Sequence, residues 1–186
     1  MIWKRKNIVD LKKQLNEINK SLSAHIACFT GHRPQKLPWG FNENDKRCVE
    51  MINITKTQIE KAIKNGYDTF LCGMALGFDI ICAELVLKLK NDYPKIKLFG
   101  AIPCKNQCDK WSAPQKERYN KILKQLDGVR CIYDTYIGKE CLLERNNYMI
   151  NNSSLVIALF DGKHGGTKQT IEYALSQGLK VEIIVP

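Results

Sequence analysis

The chain has 186 residues and a mass of 21.3 kDa, which fits one domain with a single sizeable core. Hydrophobic residues make up 44% of it and charged residues 26%, as is ordinary for a soluble globular protein. No apolar run approaches the roughly 18–20 residues of a transmembrane helix. Residues 1–6 lead into a polar amphipathic segment and not into the apolar stretch of a secretory signal. We therefore expect a cytoplasmic protein without a membrane partner.

Eight cysteines are spread along the chain, and without a secretory signal they are expected to stay reduced. Cys104 and Cys108 have a C-x3-C spacing with no second ligand pair nearby, whereas structural zinc sites normally have two paired half-sites. We therefore predict no metal site. Four other cysteines fall on predicted strands or on the apolar side of a predicted helix, as small core residues do: Cys28, Cys72, Cys82 and Cys131.

The net charge of +10 and the pI of about 9.2 favour anionic partners, such as a nucleotide, a nucleic acid or an acidic protein. The lysines are distributed along nearly every predicted helix and are not gathered in one block with aromatic residues. Charge alone therefore indicates a solvated surface more than a face that binds DNA.

Residues 7–22 are predicted to form an amphipathic helix, because apolar residues recur at steps of three and four: Ile8, Leu11, Leu15, Ile18 and Leu22. Two heptads are too short for a secure coiled coil. Docking on the chain's own domain is favoured over a subunit contact, although exposed apolar surface makes a homo-oligomer an expectation. The predicted organisation is this helix, over residues 1–23, and a domain over residues 24–186.

The domain alternates apolar strands with helices, which predicts a mostly parallel sheet covered by helices on both faces, a three-layer α/β/α sandwich. Pro103 is expected to end the third strand. The predicted strands are residues 24–29, 69–72, 97–102, 129–133, 155–160 and 181–185. The predicted helices are residues 44–64, 78–90, 115–126, 140–150 and 167–177.

Three glycine-bearing turns each follow a predicted strand and lead into a helix or, in one case, a loop. We call residues 30–34 (TGHRP) the first turn, residues 73–79 (GMALGFD) the second and residues 161–167 (DGKHGGT) the third. In a parallel sheet all such turns emerge at one edge, where strand ends and helix N-termini create an anion-binding crevice. The pattern predicts a site for a nucleotide or a related phosphate ligand.

The first turn places His32 and Arg33 beside Gly31. Arginine can bind a phosphate in bidentate fashion, and histidine can donate a hydrogen bond or transfer a proton. A loop histidine is, however, more often a solvated polar residue than a catalyst.

The second turn has neither the G-x-G-x-x-G spacing of a dinucleotide fold nor that of a P-loop, so Walker-type ATP hydrolysis is not expected. Gly73 suits a tight exit from the strand, and Gly77 suits a close approach at the start of the helix. Asp79 either interacts with the helix dipole or binds a ribose hydroxyl.

In the third turn, Asp161 is delivered to the sheet edge by the most apolar strand. Gly165 and Gly166 let backbone amides approach an anion, and Thr167 can cap the helix and offer its hydroxyl to the same anion. The alternative is a capped helix after a flexible loop.

Two further pairs of residues are candidates for the crevice. Arg145 and Asn146, on the helix before the most apolar strand, are placed to reach back over it. Trp111 and Tyr119 either stack on a base or pack a lid onto the sheet.

An ordered series of motifs runs along the domain and includes the three turns. Its other members are Leu37-Pro38, Ala83-Glu84, Ala101-Ile102-Pro103-Cys104, Trp111, Arg145-Asn146 and Tyr148-Met149. This series resembles the YpsA-like branch of the SLOG superfamily over residues 24–186. The resemblance implies a Rossmann-like fold related to the Lonely Guy (lysine-decarboxylase-like) phosphoribohydrolases and to DprA. It also implies nucleotide binding. Some members sense ADP-ribose-derived signals in antiphage defence, and YpsA-like proteins are linked to bacterial cell division and stress.

The chain departs from its relatives at two places. Lonely Guy enzymes carry P-G-G-x-G-T-x-x-E, and aligning their Gly-Thr on Gly166-Thr167 puts Thr170 where their glutamate stands. Glu172 lies roughly 200° further around the helix, which argues against their hydrolysis here. In addition, uncharged residues replace charged ones of the YpsA-like pattern, so the ligand is expected to differ: Asn147, Asn151 and Ser154.

The leading hypothesis is a protein that senses or sequesters a small nucleotide-derived ligand related to ADP-ribose or NAD, with no other cofactor. The first alternative is a hydrolase of N-glycosidic or phosphate bonds; the second is a DprA-like binder of single-stranded nucleic acid. Candidates for proton transfer are His32, Asp79, Glu84 and Glu172. The predicted ligand-binding residues are Thr30, Gly31, His32, Arg33, Gly73, Met74, Ala75, Gly77, Phe78, Asp79, Arg145, Asn146, Asp161, Gly165, Gly166 and Thr167.

Overall fold

A computed structural model describes residues 21–186. The amphipathic segment predicted over residues 7–22 lies almost wholly outside the described residues. Within them, no helix combines the length and the apolar character needed to span a bilayer.

Six strands form one sheet in the order β4-β3-β2-β1-β5-β6, and every neighbouring pair is parallel. The predicted mostly parallel α/β sheet is thus confirmed, and within residues 21–186 it has no antiparallel strand. The strands are β1 Ile26–Gly31, β2 Thr69–Cys72, β3 Lys97–Cys104, β4 Gly128–Tyr133, β5 Leu155–Leu159 and β6 Lys180–Ile184.

Five helices that lie wholly within the described residues cover the two faces of the sheet. They are α1 Lys46–Lys64, α2 Phe78–Leu89, α3 Ala113–Leu123, α4 Lys139–Asn151 and α5 Gly166–Ser176. A short 3-10 turn, Pro34–Lys36, follows β1. Helix α3 starts two residues before its predicted beginning, because Ser112 and Gln115 form a capping box that fixes its first turn.

Side chains along each strand alternate between two buried clusters, as the period of two in a β-strand requires. Phe29 and Phe70 stack at 5.9 Å in the larger cluster, which α1, α2 and α3 cover. Cys28 and Leu71 belong to the other cluster, which α4 and α5 cover. All five residues of β5 are buried. The three-layer, Rossmann-like sandwich therefore has a core on each side of the sheet.

The prediction that Pro103 ends the third strand is wrong, because β3 continues through it to Cys104. Strand β2 stops at Cys72, opposite Gly100, so the last part of β3 has a neighbour on one side only, β4. The missing N–H of Pro103 therefore costs no hydrogen bond of the sheet at this point.

The strand order reverses between β1 and β5, which is where ligands bind in open parallel sheets. Strands β2, β1 and β5 are adjacent, and the second and third turns follow the carboxyl ends of β2 and β5. The predicted start of the first turn is wrong by two residues, because Thr30 and Gly31 still pair with β5 and form the carboxyl end of β1. The topology thus brings the three turns side by side at one edge of the sheet. We call the space between them the crevice.

Candidate functional site

The first and third turns are joined by a buried histidine. His32 is 3% exposed, its Nε2 lies 2.8 Å from Asp161 Oδ1, and its Nδ1 lies 3.5 Å from Thr167 Oγ1. The Lys163 N–H and the His32 ring hold the pKa of Asp161 at about 2, so this carboxylate is ionised near neutral pH. Nε2–H therefore donates to Asp161, which orients the ring toward Thr167.

The second turn contains a strained residue. Met74 has a φ of 57°, a left-handed conformation that is uncommon for a residue other than glycine and that clusters at functional sites. Its carbonyl accepts a hydrogen bond of 2.8 Å from Gln107 Nε2. The Ala75 N–H donates to Asp79 Oδ2 at 3.2 Å. Tertiary contacts thus hold the turn in a conformation that its local sequence disfavours.

Asp79 and Arg145 form a buried pair beneath the second turn. They are 6% exposed each, and Arg145 Nη1 donates to the Gly73 carbonyl and lies 3.6 Å from Asp79 Oδ2. Burial raises the pKa of the Asp79 carboxyl, and Arg145 opposes this. Burial lowers the pKa of the Arg145 guanidinium, and Asp79 opposes this. The predicted contact of Asp79 with a ribose stays a prediction; the structure shows that its carboxylate braces the turn.

Two predicted site glycines pack the first and second turns together. A Cβ on Gly31 would lie 2.5 Å from the Phe78 ring. A Cβ on Gly77, whose φ is 93°, would lie 2.9 Å from both the His32 carbonyl oxygen and Pro34 Cδ. The sequence predicts a close approach at Gly77, and in the structure Gly77 lies close to the first turn.

Two cationic side chains, Arg33 and Lys36, lie beside the three turns. Arg33 is exposed and lies close enough to Asp79 and Arg145 to influence the pKa of each. Lys36 was not among the predicted site residues, yet its Nζ lies 2.8 Å from where a Cβ on Gly165 would stand. A lysine in the loop after the first turn carries no motif, so only the folded chain reveals this position.

The N-termini of α2 and α5 lie in the second and third turns, at Phe78 and Gly166. The first N–H groups of a helix have no partner within that helix. A Cβ added to Gly166 would meet no atom within 4 Å, so this helix start faces open space. Backbone donors and cations therefore point to the same region, which suits a bound anion.

Asn146 braces two helices. Its Nδ2 donates to Thr170 Oγ1 at 2.9 Å, and the Thr170 hydroxyl donates to the Gly166 carbonyl at 2.8 Å. Thr170 stands where the Lonely Guy motif has its glutamate. The residues at this position thus support the backbone of the third turn.

Two of the candidate proton-transfer residues are engaged elsewhere. Glu84 accepts from Arg118 Nε at 2.8 Å and from its Nη2 at 2.7 Å, and Arg118 also binds Glu43. The Glu172 side chain is 63% exposed and lies 3.7 Å from Lys168 Nζ. The partners of these two carboxylates, Arg118 and Lys168, lie outside the three turns.

Trp111 and Tyr119 pack edge to face, with ring centroids 5.1 Å apart. Tyr119 is 3% exposed, so its ring is part of the core, whereas Trp111 is half-buried and lines a cavity beside the second turn. Within residues 21–186, no three His, Cys, Asp or Glu side chains lie close enough together to hold a metal ion.

Comparisons with known proteins cover most of the domain. Residues 27–183 match the model of the YpsA family, described as the YspA SLOG family. A UPF0398 protein of Bacillus pumilus is 29% identical over 147 residues, 76% of each chain. A UPF0398 protein of Brevibacillus brevis is 27% identical over 128 residues, 68% of each chain.

Two solved structures share the fold. DNA processing protein A from Helicobacter pylori aligns with a TM-score of 0.57 and 21% identity over 85% of this chain and 64% of that one. DprA from Streptococcus pneumoniae aligns with a TM-score of 0.60 and 17% identity over 84% of this chain and 49% of that one. The chain thus spans 64% and 49% of the lengths of those two proteins. The family match and the shared topology agree with the motif series along the domain, and the chain belongs to the YpsA (YspA) SLOG family.

Proposed function

We propose that the crevice binds the phosphate of a small nucleotide-derived ligand. The observation that carries this proposal is the meeting of three glycine-bearing turns at the point where the strand order reverses. Two helix N-termini and the side chains of Arg33 and Lys36 add positive potential there.

The charge balance of the crevice supports an anion. Asp79 and Asp161 are already paired inside the protein, with Arg145 and His32 respectively. Arg33, by contrast, forms no ion pair with any described residue. Arg145 Nε is buried and has no hydrogen-bond partner in the described part of the chain, an exception of the kind found at strained or functional sites. A phosphate would provide the negative charge that Arg33 lacks among the described residues.

ADP-ribose and NAD derivatives are the first ligands to test, because the family resemblance supports them. Binding to the native state alone raises stability by about 2.7 kcal/mol when the ligand is at 100 times its Kd. We expect at least one of NAD, ADP-ribose, cyclic ADP-ribose or the mononucleotides to raise the melting temperature. No shift from any of them at millimolar concentration would contradict the proposal.

Arg33→Ala is the variant that tests the crevice directly. Arg33 is exposed, so its loss is expected to leave the fold intact and to weaken ligand binding at least tenfold. Arg130→Ala is the matched control, because Arg130 is also exposed but lies within β4, away from the carboxyl edge of β1. Equal losses of affinity in both variants would point to unspecific charge attraction.

Binding without turnover is favoured over hydrolysis. Glu84 and Glu172 are occupied outside the three turns, and Asp79 is buried against Arg145. His32, oriented by Asp161, is the remaining candidate for proton transfer. Chromatography of each nucleotide after incubation with the protein separates the two functions. Free base or ribose phosphate among the products would establish a hydrolase.

Binding of single-stranded DNA is the second candidate. The net charge of +10 favours it, and DNA processing protein A of Helicobacter pylori, which shares the fold, has a single-stranded DNA binding mode. Gel shifts with oligonucleotides at low salt test it, and genuine binding must weaken steeply as salt is raised. Retention of this binding in Arg33→Ala would separate it from the crevice.

A further inference from the structure

A cavity of about 510 Å³ opens beside the second turn. Its volume lies within the ~300–1,000 Å³ range that is usual for small-molecule sites. Arg33 of the first turn and Ala75 of the second turn are among its lining residues. The cavity therefore borders the first and second turns, and a ligand held at these turns has room to extend into it.

The walls of the cavity are fixed by contacts between loops. Gln107, after β3, donates to the Met74 carbonyl of the second turn at 2.8 Å. Asn106 Oδ1 accepts from the Tyr136 N–H, after β4, at 2.9 Å. These bonds tie together the loops that follow β2, β3 and β4. The cavity is thus largely preformed, which lowers the entropy cost of binding.

Aromatic rings and unpaired charges line this cavity. The Trp111 ring is held by its edge-to-face contact with Tyr119, and Tyr136 is 52% exposed. Asp109 and Lys110 also line the cavity and form no ion pair with another described residue. Rings that offer a stacking face, beside one acceptor and one donor, suit a flat heterocycle with donor and acceptor atoms on its edge.

We propose that this cavity binds the base of the nucleotide whose phosphate lies at the three turns. The inference rests on the proposed function and makes it specific: the ligand carries a nucleobase and is not a sugar phosphate or a free phosphate. Tyr136 stacks on the base, and the fixed Trp111 ring forms a wall beside it. Asp109 and Lys110 recognise its edge.

The test compares ligands with and without a base. Affinities for AMP and for ADP-ribose are measured by calorimetry against the affinity for ribose 5-phosphate, which has the phosphorylated ribose alone. Loss of one stacking contact is worth about tenfold, so Tyr136→Ala is expected to weaken AMP or ADP-ribose binding about tenfold and to leave ribose 5-phosphate binding unchanged. Tyr136→Phe keeps the ring and is expected to bind like the wild type.

A matched control and a second readout keep the test independent of folding. Phe41→Ala removes an aromatic side chain that is 58% exposed and lines a different cavity, so it should leave all three affinities unchanged. Quenching of Trp111 fluorescence by AMP or ADP-ribose, but not by ribose 5-phosphate, reports the base in the wild-type protein. The quench must vanish in Trp111→Phe.

The outcomes distinguish this inference from the proposed function. If AMP or ADP-ribose binds in an Arg33-dependent way but Tyr136→Ala leaves its affinity unchanged, the base pocket is refuted and the phosphate crevice stands. If Tyr136→Ala weakens ribose 5-phosphate binding as much as AMP binding, Tyr136 acts on the crevice and the base pocket is again refuted. If neither these three compounds nor NAD, cyclic ADP-ribose and the other mononucleotides bind at millimolar concentration, both proposals fail.

Discussion

His32 and Asp161 are 129 positions apart in the chain, and the imidazole Nε2–H donates to the carboxylate across 2.8 Å. This hydrogen bond connects the carboxyl ends of β1 and β5, the two strands between which the strand order reverses. One buried ring and one ionised carboxylate thus link the first turn to the third.

The ionised state of Asp161 predicts a pH-dependent contribution to stability. Its pKa falls from 3.8 to about 2 on folding, through the Lys163 N–H and His32. A depressed carboxyl pKa stabilises the fold above the unfolded pKa, and this contribution is lost as pH falls toward the folded pKa. The difference in free energy of unfolding between wild type and Asp161→Asn should therefore be constant above about pH 5 and shrink between about pH 4 and pH 2.

Urea titrations at a series of pH values measure this difference. Asp92→Asn is the control, because Asp92 is exposed and forms no ion pair with a described residue; its stability should follow that of the wild type. A stability difference for Asp161→Asn that does not change with pH would show that the charge of Asp161 has no part in joining the turns.

The packing of the first turn on the second predicts a large cost for Gly77→Ala. The new Cβ would lie 2.9 Å from the His32 carbonyl oxygen, at a φ of 93°. Gly178→Ala is the matched control. Gly178 also has a positive φ, of 75°, but an added Cβ there would meet no atom within 4 Å, so this variant measures the backbone strain alone. We expect Gly77→Ala to lose about 1–3 kcal/mol more than Gly178→Ala in urea unfolding. Equal losses would mean that the two turns yield to the added atom.

Gly166→Ala is predicted to separate stability from binding. No atom lies within 4 Å of the added Cβ, and alanine is favoured over glycine in a helix. The melting temperature should therefore stay the same or rise. Because the methyl group would stand where the anion approaches the start of α5, we expect ligand affinity to fall about tenfold. Unchanged affinity, measured by calorimetry, would remove the third turn from the site.

The engagement of Glu84 predicts a structural role for this residue. Glu84→Gln breaks a partly exposed ion pair with Arg118, whose contribution is less than about 1 kcal/mol. We expect a small loss of stability and no change in ligand affinity or in any hydrolysis that the wild type shows. Loss of hydrolysis with unchanged stability would instead make Glu84 a catalytic residue.

Much of the fold could be predicted from the sequence because its signals are local. Apolar runs such as that of β5, glycine at strand exits and the spacing of helical residues each depend on neighbours within a few positions. A parallel sheet then requires every strand-to-helix turn to emerge at one edge. The family could also be predicted from the sequence, because each motif of the series is a short local stretch of the chain.

Only the tertiary structure decided which side chains meet. Gln107 reaches the carbonyl of Met74, and Lys36 reaches the third turn, through contacts between distant loops that no spacing encodes. The sequence makes Glu84 a candidate for proton transfer, whereas in the structure its carboxylate accepts hydrogen bonds from Arg118. The periodicity of apolar residues in the sequence therefore predicts the architecture and the edge of the sheet at which a ligand is expected. The pairing of charges across that edge depended on strand order, which local sequence patterns do not contain.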